Sequence, residues 1–454
     1  MVNITYPLIF LLIYLALLFV VSWISSRKET SEEFIIGNRK IGILGTVASL
    51  SSSVRDGAGL VTWVIIVAAF GFGAMWLSIG LALGYLVFAI VAPHINKLAH
   101  ENDFVTVGDL FRYKIGKRTA IISSVLIAAT AFLYSGLQLF FSGSIFAALF
   151  SISVVTGIII TAAIVGLYLI VGGYKTVIKT DILQWLFLLF IIMLPFILNK
   201  PDLSVESLKT FFSPGIEVML GFLGIAFFFT LSSADIWQRL FSAKDGRTAR
   251  KSFLWSILVA FVIYTGVLLL SLSIVASLPN VEPQNAFFAL FSSSVASPIF
   301  LSLLGVFSLA AVMSTLDTQL FLFSSTFTQN LLSRGIVRSK KLTVHISRII
   351  IVLSLVILIF LAATISDFLE FLFGAISLVT ILLPALIISM TRKSYLGEKT
   401  DLILSVSILL TIPVYIYMFI NGAFSNVLYA VIPGLTSLAF SIVILGLTKV
   451  FSRN

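Results

Sequence analysis

Stretches of about twenty mostly apolar residues recur along the whole 454-residue chain, and no other feature narrows its fold so far. A helix rising about 1.5 Å per residue needs roughly that length to cross a bilayer's hydrocarbon layer. Strands of a membrane barrel would alternate apolar and polar residues, and these runs do not. The bilayer core offers the backbone no hydrogen-bond partners, so spans must satisfy their own, as helices do. The expected fold is an all-α integral membrane protein with thirteen spans, over 5–24, 41–71, 73–97, 119–148, 154–172, 181–199, 217–238, 252–277, 298–328, 346–365, 367–390, 402–420 and 426–448. Composition agrees: 11% of residues are charged, against about 25% in ordinary globular chains, and the mean hydropathy is +1.14. The first stretch has no basic segment before it and no small-residue cleavage motif, so it reads as a retained span.

The charges that remain are sorted by side. All but three of the 29 Lys and Arg residues lie in alternate loops, at 25–40, 94–118, 173–180, 239–251, 329–345 with Arg348 just beyond, 391–400 and the C-terminus. Cytoplasmic loops collect basic residues, so the N-terminus is expected outside and the C-terminus inside the plasma (inner) membrane. The net charge of +10 is then a topology signal rather than a nucleic-acid footprint. Lys200 and Lys209 fall in the opposite loops, and Arg55 falls in neither set.

Several chemistries have no residues to carry them. There is no cysteine, and the three histidines sit at span ends or in loops, which leaves no thiolate or imidazole metal site at membrane depth. The phosphate-binding lysine loop, the G-x-S-x-G elbow and the H-E-x-x-H helix are absent. The chain is not expected to be an enzyme.

Polar groups at membrane depth are costly and mark function. The first group is "SLSSSVRDGAGLVTW", Ser49 to Trp63, where Arg55 and Asp56 interrupt an apolar run and Gly57 and Gly59 weaken the helix. A broken helix turns carbonyls toward a cation and N–H groups toward an anion. The second is "SLAAVMSTLDTQLFLFSS", Ser308 to Ser325, which sets Ala311, Ser314, Thr315 and Thr318 on one helix face with Asp317 at its edge. Neighbouring hydroxyls are hard oxygen ligands that suit Na⁺. The third is "GGYKTVIKTDILQW", where Asp181 opens a span and either complements the helix dipole or plays a further part. Asp235, Gln238 and Arg239 end the seventh span as a candidate inner-gate network, and Tyr134 and Gln138 give the fourth span a polar stripe.

These segments resemble those of the sodium/solute symporter family, whose bacterial members include proline, sialic acid and monocarboxylate symporters. "SLAAVMSTLDTQLFLFSS" is similar to the family's A-A-x-M-S-T/S-x-x-S/T-Q-L segment and "GGYKTVIKTDILQ" to its G-G-x-x-x-x-x-x-T-D-x-x-Q signature. "ADIWQRLFSAKDGRTARKS" resembles the W-Q-R-x-x-A-A-K segment, and "RKETSEEFIIGNRKIG" the F-x-x-G-x-R segment before the first core helix. The four occur in the family's order and cover nearly the whole chain.

The resemblance implies a LeuT-like fold of two inverted five-helix repeats. Residues 1–40 would hold an extra first helix, 41–199 and 200–391 the repeats, and 392–454 two additional helices. It implies a sodium site from the carbonyls of Val54, Gly57 and Ala311 and the hydroxyls of Ser314 and Thr315. A second ion or proton site would use Asp181, Asp317 and Thr318 beside Ser314, where sialic-acid-type members have serines at the Asp317 and Thr318 positions. Asp56 stands where proline symporters carry an aspartate linked to sodium and proline use.

The expected function is alternating-access symport of a small organic solute, carboxylate-bearing or zwitterionic, with Na⁺ as coupling ion, by a chain working as a monomer. Arg55, Asp56, Tyr134 and Gln138 are the expected solute contacts. Proline-type members have a small residue where Arg55 stands. Arg55 either grips a solute carboxylate, locks to Asp56, Asp181 or Asp317, or replaces the coupling cation in a Na⁺-independent exchanger or uniporter. A solute sensor of the same fold is the rival from another class.

Overall fold

Helices that are apolar all round hide in protein or face lipid, and this chain is built of them. A computed structural model describes residues 4–27, 30–54, 57–191, 195, 198, 201, 203–332, 340–392 and 395–451, and these contain no β-strand. The chain begins with α1 (Thr5–Ser26), α2 (Ser31–Ile36), α3 (Ile43–Val54), α4 (Gly57–Phe70) and α5 (Met75–Glu101). It continues through α6 (Val107–Lys114), α7 (Lys117–Phe150), α8 (Val154–Val171), α9 (Tyr174–Ile191) and α10 (Val205–Lys209). Next come α11 (Gly215–Ser232), α12 (Ala234–Ser242), α13 (Gly246–Ser277), α14 (Pro283–Ser292) and α15 (Pro298–Thr326). The last are α16 (Lys340–Ala363), α17 (Phe368–Thr380), α18 (Leu383–Ser389), α19 (Glu398–Ile420) and α20 (Ile432–Phe451).

Ten of the described helical stretches are long and apolar enough to cross a membrane, or eleven if α17 and α18, bent by 42°, form one span. The thirteen apolar runs of the sequence exceed this number. Of the first core run, α3 is described for 12 residues, up to Val54. The remainder, α4, runs into α5 through the 3₁₀ turn Gly71–Ala74, where Gly71 takes φ +52°. Lys175, Lys179 and Asp181 make α9 too polar to qualify by composition.

The centre of the molecule is α15, with 89% of its spanning window buried against 22% for the last helix. It packs on α1, α3, α7, α8, α9 and α16. Outer helices turn Phe360, Ile420 and Ile442 outward, as a lipid-facing surface requires. Gly80 and Gly84, spaced as small residues at close helix contacts are, let α5 approach α11. A Cβ at Gly80 would lie 2.3 Å from the Leu223 carbonyl oxygen.

At the basic end, the chain before α3 is tied to the chain after α12. Ile41 donates to Ser242 O at 3.2 Å and Lys244 returns a bond to Ile41 O at 2.9 Å. Asn96 Nδ2 adds bonds to Leu240 O at 2.9 Å and Ala243 O at 3.0 Å.

Candidate functional site

A helix is interrupted within this packed interior: Ser233, extended at φ −69°, ψ 108°, separates α11 from α12. The sequence reading ran a continuous span over 217–238, and the structure corrects this. The break expected in "SSSVRDGAG" falls on Arg55 and Asp56, which lie outside the described residues between α3 and α4.

A cavity of about 930 Å³, open solvent included, lies between this break and the first turns of α4. Gly59, Thr62 and Trp63 wall it from α4, and Phe229, Ser233 and Asp235 from the break. Tyr134, Tyr264, Gln319 and Phe373 complete most of the polar and aromatic lining. Of the two stripe residues expected on α7, Tyr134 is in the wall. Gln138 is fully buried one turn away and is not among the lining residues.

Behind the cavity lies a dry polar cluster. Asp181, wholly buried, accepts from Ser314 Oγ on Oδ1 at 2.6 Å and from Ser49 Oγ on Oδ2. The expectation that Asp181 opens its span does not hold. Because α9 starts at Tyr174, Asp181 lies two turns inside it, too deep to complement the helix terminus.

The cation at Asp181 is Arg239, read from the sequence as part of a gate network or a topology signal. Its Nη2 is 3.6 Å from Asp181 Oδ2. The same guanidinium donates from Nη1 to Asp235 Oδ2 at 2.9 Å, from Nε to Ser49 Oγ at 2.7 Å and from Nη2 to Thr318 Oγ1 at 3.3 Å. Arg239 therefore joins Asp235, in the cavity wall, to Asp181. Gln238 does not join the network, since its Nε2 has no partner among the described residues.

On α15, Ala311, Ser314 and Thr315 lie together and buried. Serines and threonines in membrane helices commonly bond the carbonyl one turn back. Ser302 and Ser308 of this helix do so, at 2.6 and 2.7 Å. Ser314 instead turns to Asp181, and Thr315 Oγ1 has no partner among the described residues. Asp317 points elsewhere: its Oδ2 accepts from Tyr168 OH at 2.9 Å and its Oδ1 has no side-chain partner among the described residues. Sequence reasoning missed Ser49, Tyr168 and Trp63, which carry no signal in one chain beyond being polar or aromatic within apolar runs.

A helix broken beside an interior cavity, with hydroxyls and carboxylates behind it, is an arrangement that secondary membrane transporters use. A sequence profile described as the sodium:solute symporter family matches residues 34–208 and 197–393, and the chain belongs to that family. A sodium/proline symporter of Staphylococcus aureus is 27% identical over 350 residues, covering 71% of this chain and 67% of its own. Among solved structures, a Na⁺-coupled sialic acid symporter in a substrate-bound, outward-open state superposes with a TM-score of 0.78 at 15% identity, over 97% of this chain and 96% of that one. A nucleobase-cation-symport-1 family transporter gives 0.54 at 13% identity, over 90% and 94%. These likenesses place the chain in the LeuT-like fold.

Proposed function

We propose that the chain carries a small organic solute, carboxylate-bearing or zwitterionic, across the plasma (inner) membrane together with Na⁺, as a monomer with its N-terminus outside. Residues 41–199 and 200–391 are the two inverted repeats. The broken pair α3/α4 opens the first and α11/α12 the second. Na⁺ is held by the carbonyls of Val54, Gly57 and Ala311 and the hydroxyls of Ser314 and Thr315. The solute occupies the cavity between the breaks, with Tyr134 in its wall. Arg55 and Asp56 are retained as solute contacts on the sequence reading, and Gln138 supports the wall from behind.

The observation that carries this reading is the Thr315 hydroxyl. A buried hydroxyl without a partner costs about 1–3 kcal/mol; on α15, Ser308 and Ser302 avoid it by bonding the carbonyl one turn back, whereas Thr315 and Thr326 do not. An oxygen left unanswered beside a helix break fits a hard monovalent cation. Na⁺ bound there favours one arrangement of α3/α4 against α15, and solute affinity rises with it by linkage. The bonds between Ile41 and the Ser242–Lys244 segment tie the basic end together.

Arg239 beside Asp181 favours a second reading, a carrier whose cation is part of the chain. Uptake in proteoliposomes separates the two, with L-proline, carried by the staphylococcal relative, as the first solute in a panel of amino and organic acids. An inward Na⁺ gradient should drive accumulation, and Ser314→Ala or Thr315→Ala should weaken its Na⁺ dependence. Uptake unchanged when choline replaces Na⁺ would overturn symport in favour of the built-in cation.

A further inference from the structure

The wall of the cavity is lopsided in charge. Asp235 is its one acidic residue, and no Lys, Arg or His lines it among the described residues. The carboxylate is held rather than hidden. Ser233 Oγ donates to Oδ1 at 2.5 Å and Arg239 Nη1 to Oδ2 at 2.9 Å, yet the side chain keeps 7% of its surface open. Each carboxylate oxygen has a further lone pair to offer. Nor does Arg239 cancel the charge, because the same guanidinium also lies 3.6 Å from Asp181. With all three groups ionised, two carboxylates on one guanidinium leave one negative charge over. Of the three, Asp235 is the one that lines the cavity.

Its neighbours in the wall suit a cation. Tyr134, Phe229, Ser233, Asp235 and Gln319 line this cavity and also a smaller one of about 310 Å³, open solvent included, so they stand together where the two meet. Trp63 and Tyr264 add an aromatic pair to the lining, edge to face with ring centroids 5.1 Å apart. Aromatic faces attract cations, and attract them more strongly away from water. The same wall has little for a polyol. The Thr230 hydroxyl is spent on Ala226 O at 2.7 Å and the Ser233 hydroxyl on Asp235, while Ile66, Leu81, Ile225 and Leu372 are apolar. Thr62 Oγ1 is the serine or threonine oxygen of the wall that is buried with no partner among the described residues.

We infer that Asp235 selects the solute by charge: it anchors a positively charged nitrogen on an apolar body, with aromatic rings beside it and the Thr62 oxygen as a further acceptor. The inference rests on the reading that the solute occupies this cavity, and it narrows that solute to an amine-bearing one. An organic acid without an amine has no partner at Asp235 and meets an uncompensated negative charge instead. Ser233 and Arg239 are positioning residues, since they fix the carboxylate from the side away from the ligand's nitrogen.

The test is uptake by the full chain in proteoliposomes under an inward Na⁺ gradient, with amino acids paired against the same acids lacking the amine. The pairs are L-proline with cyclopentanecarboxylate, L-valine with isovalerate and L-alanine with propionate, and D-glucose is the uncharged probe. The amino member of at least one pair should accumulate. Its partner should compete at least about a hundred-fold more weakly, as a site built for one polar group rejects the analogue lacking it. In Asp235→Asn, with thermal unfolding to establish that it is folded, the preference should close or reverse, because Arg239 then faces the cavity without its carboxylate. Ser233→Ala keeps the charge and loosens its orientation, and should reduce the preference about ten-fold, the scale of one lost hydrogen bond. It carries the test with the wild-type pairs if Asp235→Asn does not fold. A deamino acid accumulated as well as its amino acid, or D-glucose in place of every amine, overturns the assignment and leaves Na⁺ symport standing. So does an intact amine preference in folded Asp235→Asn, which would move the anchor to Asp56. Amine uptake unchanged when K⁺ replaces Na⁺ instead removes the coupled reading and leaves Asp235 in place. No uptake of any member of the panel overturns both.

Discussion

The break seen at Ser233 and the one expected at Arg55 and Asp56 are written in different residues. The expected one carries its own warning: serines, an adjacent Arg and Asp, and two glycines within "SSSVRDGAG". The second, at Ser233 in "FFFTLSSADIWQR", has neither glycine nor proline. Its unpaired backbone is answered by its own side chains. Trp237 Nε1 donates to Leu231 O at 2.8 Å, Ser233 Oγ donates to Asp235 Oδ1 at 2.5 Å, and Arg239 Nη1 donates to Asp235 O at 3.1 Å. Glycine makes a break by weakening the helix. Side-chain donors make one by offering the backbone a better bargain than the next turn, in the way Ser and Asp do at helix starts. The second kind depends on a few fixed bonds, so single substitutions should damage it more.

Arg239→Leu should have the largest effect. It removes the one guanidinium shared by Asp235, Asp181, Ser49 and Thr318, and leaves two buried carboxylates without their cation. Breaking a buried pair from one side costs about 3–5 kcal/mol. Thermal unfolding in detergent should show a large loss, and solute uptake should vanish. A variant that melts like wild type would mean that the second break does not depend on its charge network. Trp237→Phe should come next. Trp237 is fully buried, so the ring stays while the Leu231 carbonyl loses its donor. The expected loss is about 1–3 kcal/mol, read by the same melt, together with weaker solute binding because Ser233 and Asp235 line the cavity. If Trp237→Phe leaves the melt unchanged, the orphan carbonyl has another partner, and the contrast between the breaks narrows.

The same contrast explains what was legible in the sequence. The spans follow from apolar length, and the expectation of a break at Arg55 and Asp56 from glycines and charges at membrane depth. Ser314 and Thr315 stand out in the sequence because they are two adjacent hydroxyls in an apolar run. The second break does not, because Ser233 and Asp235 are ordinary cap residues and their partners, Trp237 and Arg239, lie on the following turns. Arg239 was hidden by company: four more basic residues follow by Lys251, so it counted as a loop charge. Only the packing of α12 against α3 and α15, with α3 against α9, shows it as the cation of the cluster. Asp181 was misplaced by two turns because Lys175 and Lys179 lower the apparent hydropathy of the first half of α9. Tyr14 sits in the apolar first helix, and no local pattern connects it to Gln184.

The smallest expected effect lies at the basic end, where the chain before α3 is tied to the end of α12 and where water screens what side chains do. Lys175 Nζ donates to Glu33 Oε1 at 2.8 Å, tying α2 to α9. Glu33 Oε2 meanwhile accepts from Thr30 N at 3.0 Å, and Thr30 Oγ1 accepts from Glu33 N at 3.2 Å, which closes a capping box at the start of α2. Glu33→Gln keeps the box, since glutamine serves there as well as glutamate, and removes only the charge. The pair is partly exposed, at 29% for the lysine and 20% for the glutamate, so the loss should be about 0.5 kcal/mol. Its pH signature is more telling than its size. The Lys175 hydrogen bond holds the Glu33 carboxyl below its ordinary range, so the unfolded chain takes up this proton at a higher pH than the native one. The pair's stabilisation is therefore complete above the ordinary carboxylate range and is lost as pH falls through the depressed native value. Melting temperature measured against pH should fall on the acid side in wild type and less steeply in Glu33→Gln, with the two curves furthest apart near neutrality. A loss from Glu33→Gln as large as that from Arg239→Leu would place the weight of the fold at the anchored end, and the second break would no longer be the more fragile of the two.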